Sequence, residues 1–471
     1  MRLPGGRSAS IGALVVALAC GGSSEGVLEP PTCDVPIVSR AEATTDPGNV
    51  LRAFVAADVQ GADSVVVRFG TNTARDSTTP SVAPIGGAVR APLLGLQSAR
   101  AYEAQLRAFN GCGTTTSDVL PFSTGALPPD LPRYFGEGTN PSPGYVVFAA
   151  GNYGLVIDNS GRVVWYHRFP DGLGLSFQPQ PNGRYAARPP SPAGAVGSWV
   201  EIDPSGERTR TLGCARGLQP RIHDMIAKPD GSYWLLCDEV RTVDLSSQGA
   251  SSASRVSGTS VQHRSAAGDV LFEWSPFDHL AVELSVLDSV DRNAAVINWT
   301  HGNALDLDDD GNLLLSFRNL SEVTKIDTRT GAVVWRFGGA HNQFGVDNVS
   351  DSSPFVHQHG LRALGGGQLL LLDNLGHSAG SRAERYALDA ARHTARMGAV
   401  YGAAAGLVGQ IGGSTQSLPD GHTLVSFGSG AGVEEYDATG QVVWRLLGTT
   451  GYVFRAVRVR SLYRPGATDP R

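Results

Sequence analysis

Three histidines occupy corresponding places in a repeating pattern, and one arginine is predicted to lie beside them, so together they could bind and transfer an anionic group. Each histidine lies 7, 8 or 10 residues before a turn glycine of the repeat; the three are His223, His301 and His359. Arg318 follows the turn glycine Gly311 by 7 residues, while His301 precedes it by 10. Because antiparallel strands fold back on each other, the hairpin places Arg318 and His301 at the same end.

This set of side chains is typical of sulfuryl or phosphoryl chemistry. A guanidinium presents paired donors to a tetrahedral oxyanion. Imidazoles supply a nucleophile and a proton carrier that work near neutral pH. A three-histidine metal site would need a similar ring, but no carboxylate accompanies two of the histidines, and Asp224 would alternate to the opposite face of its strand from His223. We therefore predict no metal at this site.

The elements that must position these residues form a repeat of two turn types. Turns such as Pro-Asp-Gly before an apolar run alternate with turns of the type Asp-x-x-Thr-Gly-x-Val-Val-Trp. The turn glycines of the first type are Gly183, Gly231, Gly311, Gly366 and Gly421, spaced 48, 80, 55 and 55 residues apart. Two hairpins per unit predict a six-bladed β-propeller, in which the first strand of each blade lines the central channel. In the longest interval, residues 246–260 and 276–290 are predicted to be loops.

Composition agrees with an all-β chain and excludes several functions. The 471 residues include 59 Gly and 28 Pro, as expected for many short strands joined by turns. Charged residues make up 17 %, and the net charge is −6. No basic patch accompanies this charge, so we predict no nucleic-acid partner.

The N-terminus reads as an export signal. Arg2 and Arg7 precede a short apolar run that ends in Ala-Leu-Ala before Cys20, so residues 1–19 are predicted to be a signal peptide. The same residues resemble a bacterial lipobox, which predicts a lipidated Cys20 and a tether over residues 20–32. Ordinary cleavage after Ala-Leu-Ala is the alternative. Either way the protein is exported, to the periplasm or the cell surface, and the first interpretation anchors it to a membrane.

Short alternating strands over residues 33–125 resemble a fibronectin type III sandwich, with Tyr102 in place of its typical tyrosine. A Pro-rich linker follows over residues 126–134, and the propeller is predicted over residues 135–471. Four further cysteines remain: Cys33, Cys112, Cys214 and Cys237. An even number in an exported chain suggests two disulfides, and pairing within domains favours Cys33–Cys112 and Cys214–Cys237. Four free buried thiols are the alternative.

Several segments resemble the bacterial arylsulfate sulfotransferase family. They are residues 298–305 (Asn-Trp-Thr-His-Gly-Asn-Ala-Leu), 309–318 (Asp-Asp-Gly-Asn-Leu-Leu-Leu-Ser-Phe-Arg), 330–339 (Thr-Gly-Ala-Val-Val-Trp-Arg-Phe-Gly-Gly) and 358–360 (Gln-His-Gly). The resemblance extends over residues 135–465. It implies a propeller that moves sulfate from an aryl sulfate ester to a phenol, without a nucleotide sulfate donor or another cofactor.

The resemblance also implies a role for each site residue. The nucleophile that becomes sulfohistidine falls on His359, and ligands of the sulfuryl oxygens fall on His301 and Arg318. The proton-transferring histidine falls on His223, and Asn303 takes a substrate-binding position. Two half-reactions through one covalent intermediate imply ping-pong kinetics with small-molecule phenols and aryl sulfates.

Three alternatives stay open at the level of sequence. His357 would share a strand face with His359, so their roles could be exchanged. A binding or assembly propeller lipoprotein could carry the same blade repeat without catalysis. A metal-dependent hydrolase or lactonase could also use a propeller. The remaining histidines, among them His422 on a predicted surface strand, are interpreted as structural or solvated.

Overall fold

The computed structural model describes residues 33–467, except for residues 171, 173–175, 192–194, 289, 348–352, 403–406, 431 and 449–451. The predicted signal peptide, the tether and Cys20 lie outside the described residues. Regular structure in the described part is almost entirely β-strand, which confirms the all-β prediction. The exceptions are one short helix, α1 (Pro276–His279), and three 3₁₀ turns at Ser246–Gln248, Leu284–Val286 and Arg318–Leu320. None of these described helices could span a membrane.

The first eight strands form two antiparallel sheets around one core. The strands of the first sheet are β1 (Ile37–Asp46), β2 (Asn49–Gln60) and β5 (Ala88–Leu93). Those of the second are β3 (Ser64–Gly70), β4 (Ser77–Thr78), β6 (Ala101–Asn110), β7 (Gly113–Thr116) and β8 (Leu120–Ser123). Along β6 every second residue is buried, and these residues meet those of β2 and β5 in a common core.

The rest of the described residues form six mainly antiparallel sheets, named here sheet 1 to sheet 6. Sheet 1 contains β10 (Tyr145–Ala150), β11 (Tyr153–Ile157) and β12 (Val163–Arg168), and sheet 2 contains β13 (Phe177–Pro179), β14 (Tyr185–Ala187), β15 (Trp199–Ile202) and β16 (Arg208–Leu212). Sheet 3 contains β17 (Gln219–Ala227), β18 (Tyr233–Val243), β19 (Ser254–Arg264) and β20 (Val270–Trp274), with β21 (Ile297–Asn298) parallel to β19.

Sheets 4 to 6 follow the same plan. Sheet 4 contains β22 (Gly302–Leu307), β23 (Leu313–Phe317), β24 (Glu322–Ile326) and β25 (Val333–Gly338). Sheet 5 contains β27 (His359–Gly365), β28 (Gln368–Asp373), β29 (Arg382–Asp389) and β30 (Thr394–Gly402), with β26 (Gly345–Asp347) parallel to β30. Sheet 6 contains β31 (Ser414–Ser417), β32 (Thr423–Ser426), β33 (Val433–Tyr436) and β34 (Val442–Gly448).

The two ends of this region exchange strands. The early strand β9 (Tyr134–Gly138) pairs with β34 of sheet 6, and the late strand β35 (Ala456–Val459) pairs with β10 of sheet 1. First strands of successive sheets contact each other, as β17 contacts β22 and β22 contacts β27. The arrangement is therefore propeller-like.

Tryptophans of the fourth or third strand connect neighbouring sheets. Trp165 Nε1 of sheet 1 donates to the Pro204 carbonyl of sheet 2 at 3.0 Å. Trp274 Nε1 of sheet 3 donates to the Gly331 carbonyl of sheet 4 at 3.1 Å. In the same way, Trp444 Nε1 of sheet 6 donates at 2.8 Å to the Asn159 carbonyl of sheet 1, so the last sheet packs on the first.

Two local predictions were wrong. Residues 254–260 were assigned to a loop but belong to β19, which pairs with β18 over 11 residue pairs from Tyr233 to Val243. His422 was assigned to the surface but is buried, because its Nδ1 lies 2.8 Å from Glu435 Oε1 in the interior of sheet 6. Glu435 lies on the adjacent strand β33, and the turn pattern around Gly421 does not show which side chain of that strand faces His422.

Candidate active site

A cavity of about 730 Å³ lies at one end of the first strands of sheets 3, 4 and 5. His223, His301, Arg318 and His359 all line it, so the structure brings together the three histidines that the repeat placed at equivalent positions and the arginine that the hairpin placed beside them. His223 lies within β17, His301 directly precedes β22, and His359 is the first residue of β27. The His223 and His301 rings meet edge to face, with centroids 5.1 Å apart.

The hairpin of sheet 4 places Arg318 beside His301. The Arg318 amide donates to the His301 carbonyl at 3.1 Å, at the point where β23 ends. Its guanidinium donates to Asn319 Oδ1 at 3.0 Å. No carboxylate of the described residues forms an ion pair with this guanidinium. Asp288, which acts on this guanidinium electrostatically, pairs with His357 instead at 2.9 Å. The guanidinium therefore keeps N–H donors for an anion.

The scaffold fixes the tautomer of His359. Its Nδ1 donates to Asn374 Oδ1 at 2.8 Å and to the His357 carbonyl at 3.1 Å. The Asn374 amide orientation is set in turn, because its Nδ2 donates to the carbonyls of Gly409 and Gly412. The other ring nitrogen, Nε2, accepts a long hydrogen bond of 3.3 Å from the Gly412 amide. His359 therefore carries its proton on Nδ1 and a lone pair on Nε2.

The other two histidines have the opposite tautomer. Asn298 Nδ2 lies 2.8 Å from His301 Nδ1 and donates to it. Arg221 Nε lies 3.4 Å from His223 Nδ1 and donates to it, while the Arg221 guanidinium also pairs with Asp238. Both rings therefore carry their proton on Nε2. In each ring the scaffold contacts Nδ1. Of the three imidazoles, only His359 carries a lone pair on the other nitrogen, Nε2.

All three imidazoles are neutral at neutral pH. Burial, reinforced by the positive charge of Arg318, lowers the pKa of His359 to about 4. Burial together with Arg221 and Arg318 lowers the pKa of His301 to about 2. Burial and Arg221 hold the pKa of His223 well below its usual value. A neutral ring is required of a nucleophile, and neutral Nε2–H groups remain hydrogen-bond donors.

His357 also lines the cavity, but in a different setting from His359. It precedes β27 and has a left-handed backbone, with φ of 54°, so strand alternation does not apply to this pair. Its Nε2 lies 2.9 Å from Asp288 Oδ2, and this carboxylate holds the proton of His357 on Nε2. The prediction that His357 and His359 share a strand face was therefore wrong.

Asn303 lies behind the cavity wall. Its side chain is buried and donates to the Gln358 carbonyl at 2.7 Å, and it is absent from the residues that line the cavity. Its contact supports the backbone next to His359. The substrate-binding role implied for Asn303 stays a prediction without a contact to the cavity.

Sequence reasoning missed Asn374, although a signal for it existed. Asn374 follows β28 as Arg318 follows β23, and it lies 15 residues after His359, whereas Arg318 lies 17 after His301. The hairpin argument that located Arg318 would therefore have located Asn374. Gly412 has no such signal, since it reaches the site from the segment before β31, whereas Arg221 lies two residues before His223 on the same strand β17.

The rest of the cavity wall includes the polar side chains of Asp288, Asp291, Asn298 and Asn319. Its apolar part includes Leu287, Val290, Val296, Ile297, Ile411, Tyr452 and Phe454. The first four belong to the segment between β20 and β22, which contains the predicted loop 276–290. Such a wall can hold the flat aromatic ring of a bound molecule whose anionic group lies at the cluster of histidines and arginine.

The cysteines lie away from this wall. The structure joins Cys33 to Cys112 and Cys214 to Cys237. The first disulfide ties the start of the described chain to the turn between β6 and β7, and the second links the segment after β16 to β18.

Comparison with known proteins identifies one family. Residues 218–451 match the family model of arylsulfotransferase (ASST). Among solved structures, similarity at 14 % identity is found to a protein of unknown function from Bacteroides caccae, covering 67 % of this chain and 98 % of that one, with a TM-score of 0.43. Virginiamycin B lyase from Staphylococcus aureus is similar at 11 % identity, covering 75 % of this chain and 93 % of that one, with a TM-score of 0.35. No curated protein matches the chain. The matched residues contain His223, His301, Arg318 and His359, and this chain belongs to the arylsulfotransferase family.

Proposed function

We propose that this protein transfers a sulfuryl group from an aryl sulfate ester to a phenol through a covalent sulfohistidine on His359. The observation that carries the proposal is the tautomer of His359, which leaves its Nε2 lone pair beside Arg318 and two imidazole donors. Membership of the arylsulfotransferase family supports the substrate class. The binding and assembly alternatives require no such arrangement of lone pair and donors.

In the first half-reaction, the Nε2 lone pair of His359 attacks sulfur and the bond from sulfur to the aryl oxygen breaks. The aryl oxygen leaves with the bonding electrons as a phenolate. The sulfated ring keeps its proton on Nδ1, where Asn374 Oδ1 accepts it. Charge is conserved, because a neutral imidazole and a sulfate monoanion give a zwitterionic sulfohistidine and a phenolate.

Three donors surround the sulfuryl oxygens in this scheme. The Arg318 guanidinium and the His301 Nε2–H contribute two of them. The Gly412 amide contributes the third, because it loses His359 Nε2 as an acceptor once sulfur is bonded there. Donors fixed by the scaffold stabilise developing charge without reorganisation during the reaction.

His223 acts in this scheme as a neutral hydrogen-bond donor. In the free site its Nδ1 accepts from Arg221 Nε, so Nε2–H faces away from that contact. It can stabilise the leaving phenolate by hydrogen bonding. The acceptor phenol first loses its proton to water. In the second half-reaction, the resulting phenolate oxygen attacks sulfur, the S–Nε2 bond breaks with its electrons returning to Nε2, and neutral His359 is restored. The scheme uses no nucleotide sulfate donor, no cofactor and no metal.

The proposal is tested with 4-nitrophenyl sulfate as donor. Nitrophenol release should be slow with water alone and should increase when phenol is added, with parallel lines in the double-reciprocal plots of a ping-pong mechanism. Phenyl sulfate should form in an amount equal to the nitrophenol. Release that is independent of phenol and yields inorganic sulfate would indicate a hydrolase, and no release from any aryl sulfate would favour a binding protein.

The low pKa of His359 predicts activity in mild acid. The ring attacks only when Nε2 is unprotonated, and protonation sets in as pH falls through its pKa of about 4. We expect kcat/KM for the aryl sulfate to be level from about pH 8 to about pH 5 and to fall roughly tenfold per unit below about pH 4. Circular dichroism at each pH separates this loss from unfolding. A midpoint near that of an ordinary histidine, about 6.5, would contradict the buried, neutral ring.

Replacing Asn374 tests the orientation of His359. Asn374→Ala removes the acceptor of Nδ1–H, and we expect kcat/KM to fall about 10- to 100-fold, as for other groups that orient a reactive histidine. Asn374→Asp keeps an acceptor but adds a negative charge, which stabilises the protonated ring and should move the acid limb of the pH profile to higher pH. The exposed Asn293→Ala is the control. An unchanged profile in Asn374→Asp would assign Asn374 a purely structural role.

We further propose that sheets 1 to 6 are the six blades of a propeller and that the two N-terminal sheets are a fibronectin type III-like sandwich. The exchange of β9 and β35 between the first and last sheets supports a closed ring. The domain limits, 33–125 for the sandwich and 135–471 for the propeller, stay predictions. Export and lipidation of Cys20 also stay predictions, which mass spectrometry of the membrane-bound protein would test.

A further inference from the structure

We infer that a second polar cluster, formed by Asp373, His377 and Glu384 of sheet 5, is a zinc-binding site. Asp373 ends β28, Glu384 lies in β29, and His377 belongs to the loop between them. One ligand atom from each residue lies within 4.8 Å of the others. The inference does not depend on the proposed sulfuryl transfer.

Two of the three distances between these atoms match a metal better than a direct ion pair. His377 Nε2 lies 3.5 Å from Asp373 Oδ2 and 3.3 Å from Glu384 Oε1. Ligands bound tetrahedrally to zinc at about 2.0–2.1 Å lie about 3.3–3.4 Å apart. Charge-assisted hydrogen bonds between nitrogen and oxygen are shorter, at about 2.7–2.9 Å.

Asp373 supplies an independent observation. Its side chain is 1 % exposed, and Oδ2 makes no hydrogen bond with any described residue. Its other oxygen, Oδ1, accepts from the amides of Val356 and Gly376 at 2.9 and 2.8 Å. The carboxylate is thus held by one oxygen while the other, buried, points towards His377. A buried anionic oxygen without a hydrogen bond is costly unless a cation satisfies it.

Glu384 is oriented in a comparable way. Tyr386 OH donates to Oε2 at 2.6 Å, and Arg382 Nε donates to Oε1 at 2.5 Å. Each carboxylate oxygen has two lone pairs, so Oε1 can meet both Arg382 and a metal. Hydrogen bonds to ligating carboxylates are typical of the surroundings of metal sites.

The types of ligand and the cavity next to them favour zinc with one coordination position left open. One imidazole and two carboxylates suit zinc, whereas calcium and magnesium prefer oxygen ligands alone. A cavity of about 280 Å³ next to the cluster is lined by His377, Ser381, Arg382 and Gly402, among others. It gives an ion a route to the site and gives water a place as fourth ligand.

The position of the cluster gives the ion a structural role. Asp373 directly precedes Asn374, which orients His359, and Asp373 Oδ1 binds the amide of Val356 close to His357. Zinc would tie the ends of β28 and β29 together and hold the loop that carries Asn374.

The test titrates zinc into the EDTA-treated, full-length protein by isothermal calorimetry and follows the melting temperature. We expect one zinc per chain in this cluster, a higher melting temperature with zinc, and tetrahedral absorption bands when cobalt replaces zinc. His377→Ala, at a partly exposed position, and the isosteric Asp373→Asn should each weaken binding about 100-fold. Their melting temperatures without zinc show whether the variants fold.

Two control variants locate the ion. His341→Ala removes a histidine that lies 3.4 Å from the single carboxylate Glu283, and it should bind zinc as the wild type does. His301→Ala should also retain the site. Zinc binding that is lost in His301→Ala but kept in His377→Ala would place the metal in the active-site cavity and overturn the inference. Absence of binding in the wild type would overturn it as well and would assign the cluster to a protonated His377 between two carboxylates.

Discussion

Replacing His359 by alanine is expected to abolish sulfuryl transfer, with kcat/KM for 4-nitrophenyl sulfate reduced about 10⁴-fold or more. His301 and His223 cannot take its place, because Asn298 and Arg221 donate to their Nδ1 atoms and leave Nε2 protonated. Asp288 holds the proton of His357 on Nε2 and leaves its Nδ1 without a hydrogen-bond partner among the described residues, so mass spectrometry must distinguish His357 from His359. The loss should therefore appear in the first half-reaction, before any phenol binds.

The measurement is a rapid-mixing assay of the nitrophenol burst, combined with mass spectrometry of the peptide that contains residue 359. Wild-type protein mixed with donor alone should show a burst and a sulfo group on His359, and His359→Ala should show neither. His393→Ala, at an exposed position outside the cavity, is the matched control and should behave as the wild type. A sulfo group found on His357 or His301 would contradict the assignment, as would a burst that survives in His359→Ala.

The sequence predicted the positions of the main site residues because a repeat converts spacing into geometry. Equivalent places before a turn glycine lie at the same end of neighbouring sheets, and this placed three histidines near one another. In a hairpin the second strand returns to the end where the first strand began, and this places Arg318 beside His301. The same hairpin geometry places Asn374 beside His359.

The polarity of the site could not be predicted from spacing alone, because it depends on which side chains face each other. Gly412 reaches His359 from the segment before β31, and Arg221 is oriented by Asp238 of the neighbouring strand β18. Four residues of the apolar wall come from the segment between β20 and β22, which has no repeat equivalent. His422 shows the same limit, since Glu435 on the adjacent strand β33 decides its environment.

These contacts also explain how one cluster of similar side chains can serve different roles. Asn374 presents an oxygen to its histidine, whereas Asn298 presents a nitrogen, and the two amides give His359 and His301 opposite tautomers. The two rings are of the same residue type and line the same cavity. The nucleophile is distinguished by the group behind it.

Replacing Arg318 should give the second largest effect. We expect Arg318→Ala to lower kcat/KM about 10²- to 10³-fold, as for the removal of one donor to a developing anion. The guanidinium presents two N–H groups in a plane, and the hydrogen bond from it to Asn319 Oδ1 at 3.0 Å fixes that plane. Arg318→Lys keeps the charge but loses the planar pair of donors, so it should recover only about tenfold.

The measurement compares kcat and KM for the aryl sulfate in the wild type, both Arg318 variants and the control Arg329→Ala. Arg329 belongs to the same sheet region but is exposed and pairs with Asp327 on the surface, so its loss should leave both constants unchanged. A loss confined to KM would mean that Arg318 binds the sulfate equally in the ground state and the transition state. Full activity in Arg318→Lys would show that charge alone suffices, and a loss of less than about tenfold in Arg318→Ala would remove Arg318 from the reacting group. If Arg318 stabilises the transition state, kcat falls along with kcat/KM. The reason is that the donors at the sulfuryl oxygens act most strongly while sulfur moves from the aryl oxygen to His359 Nε2.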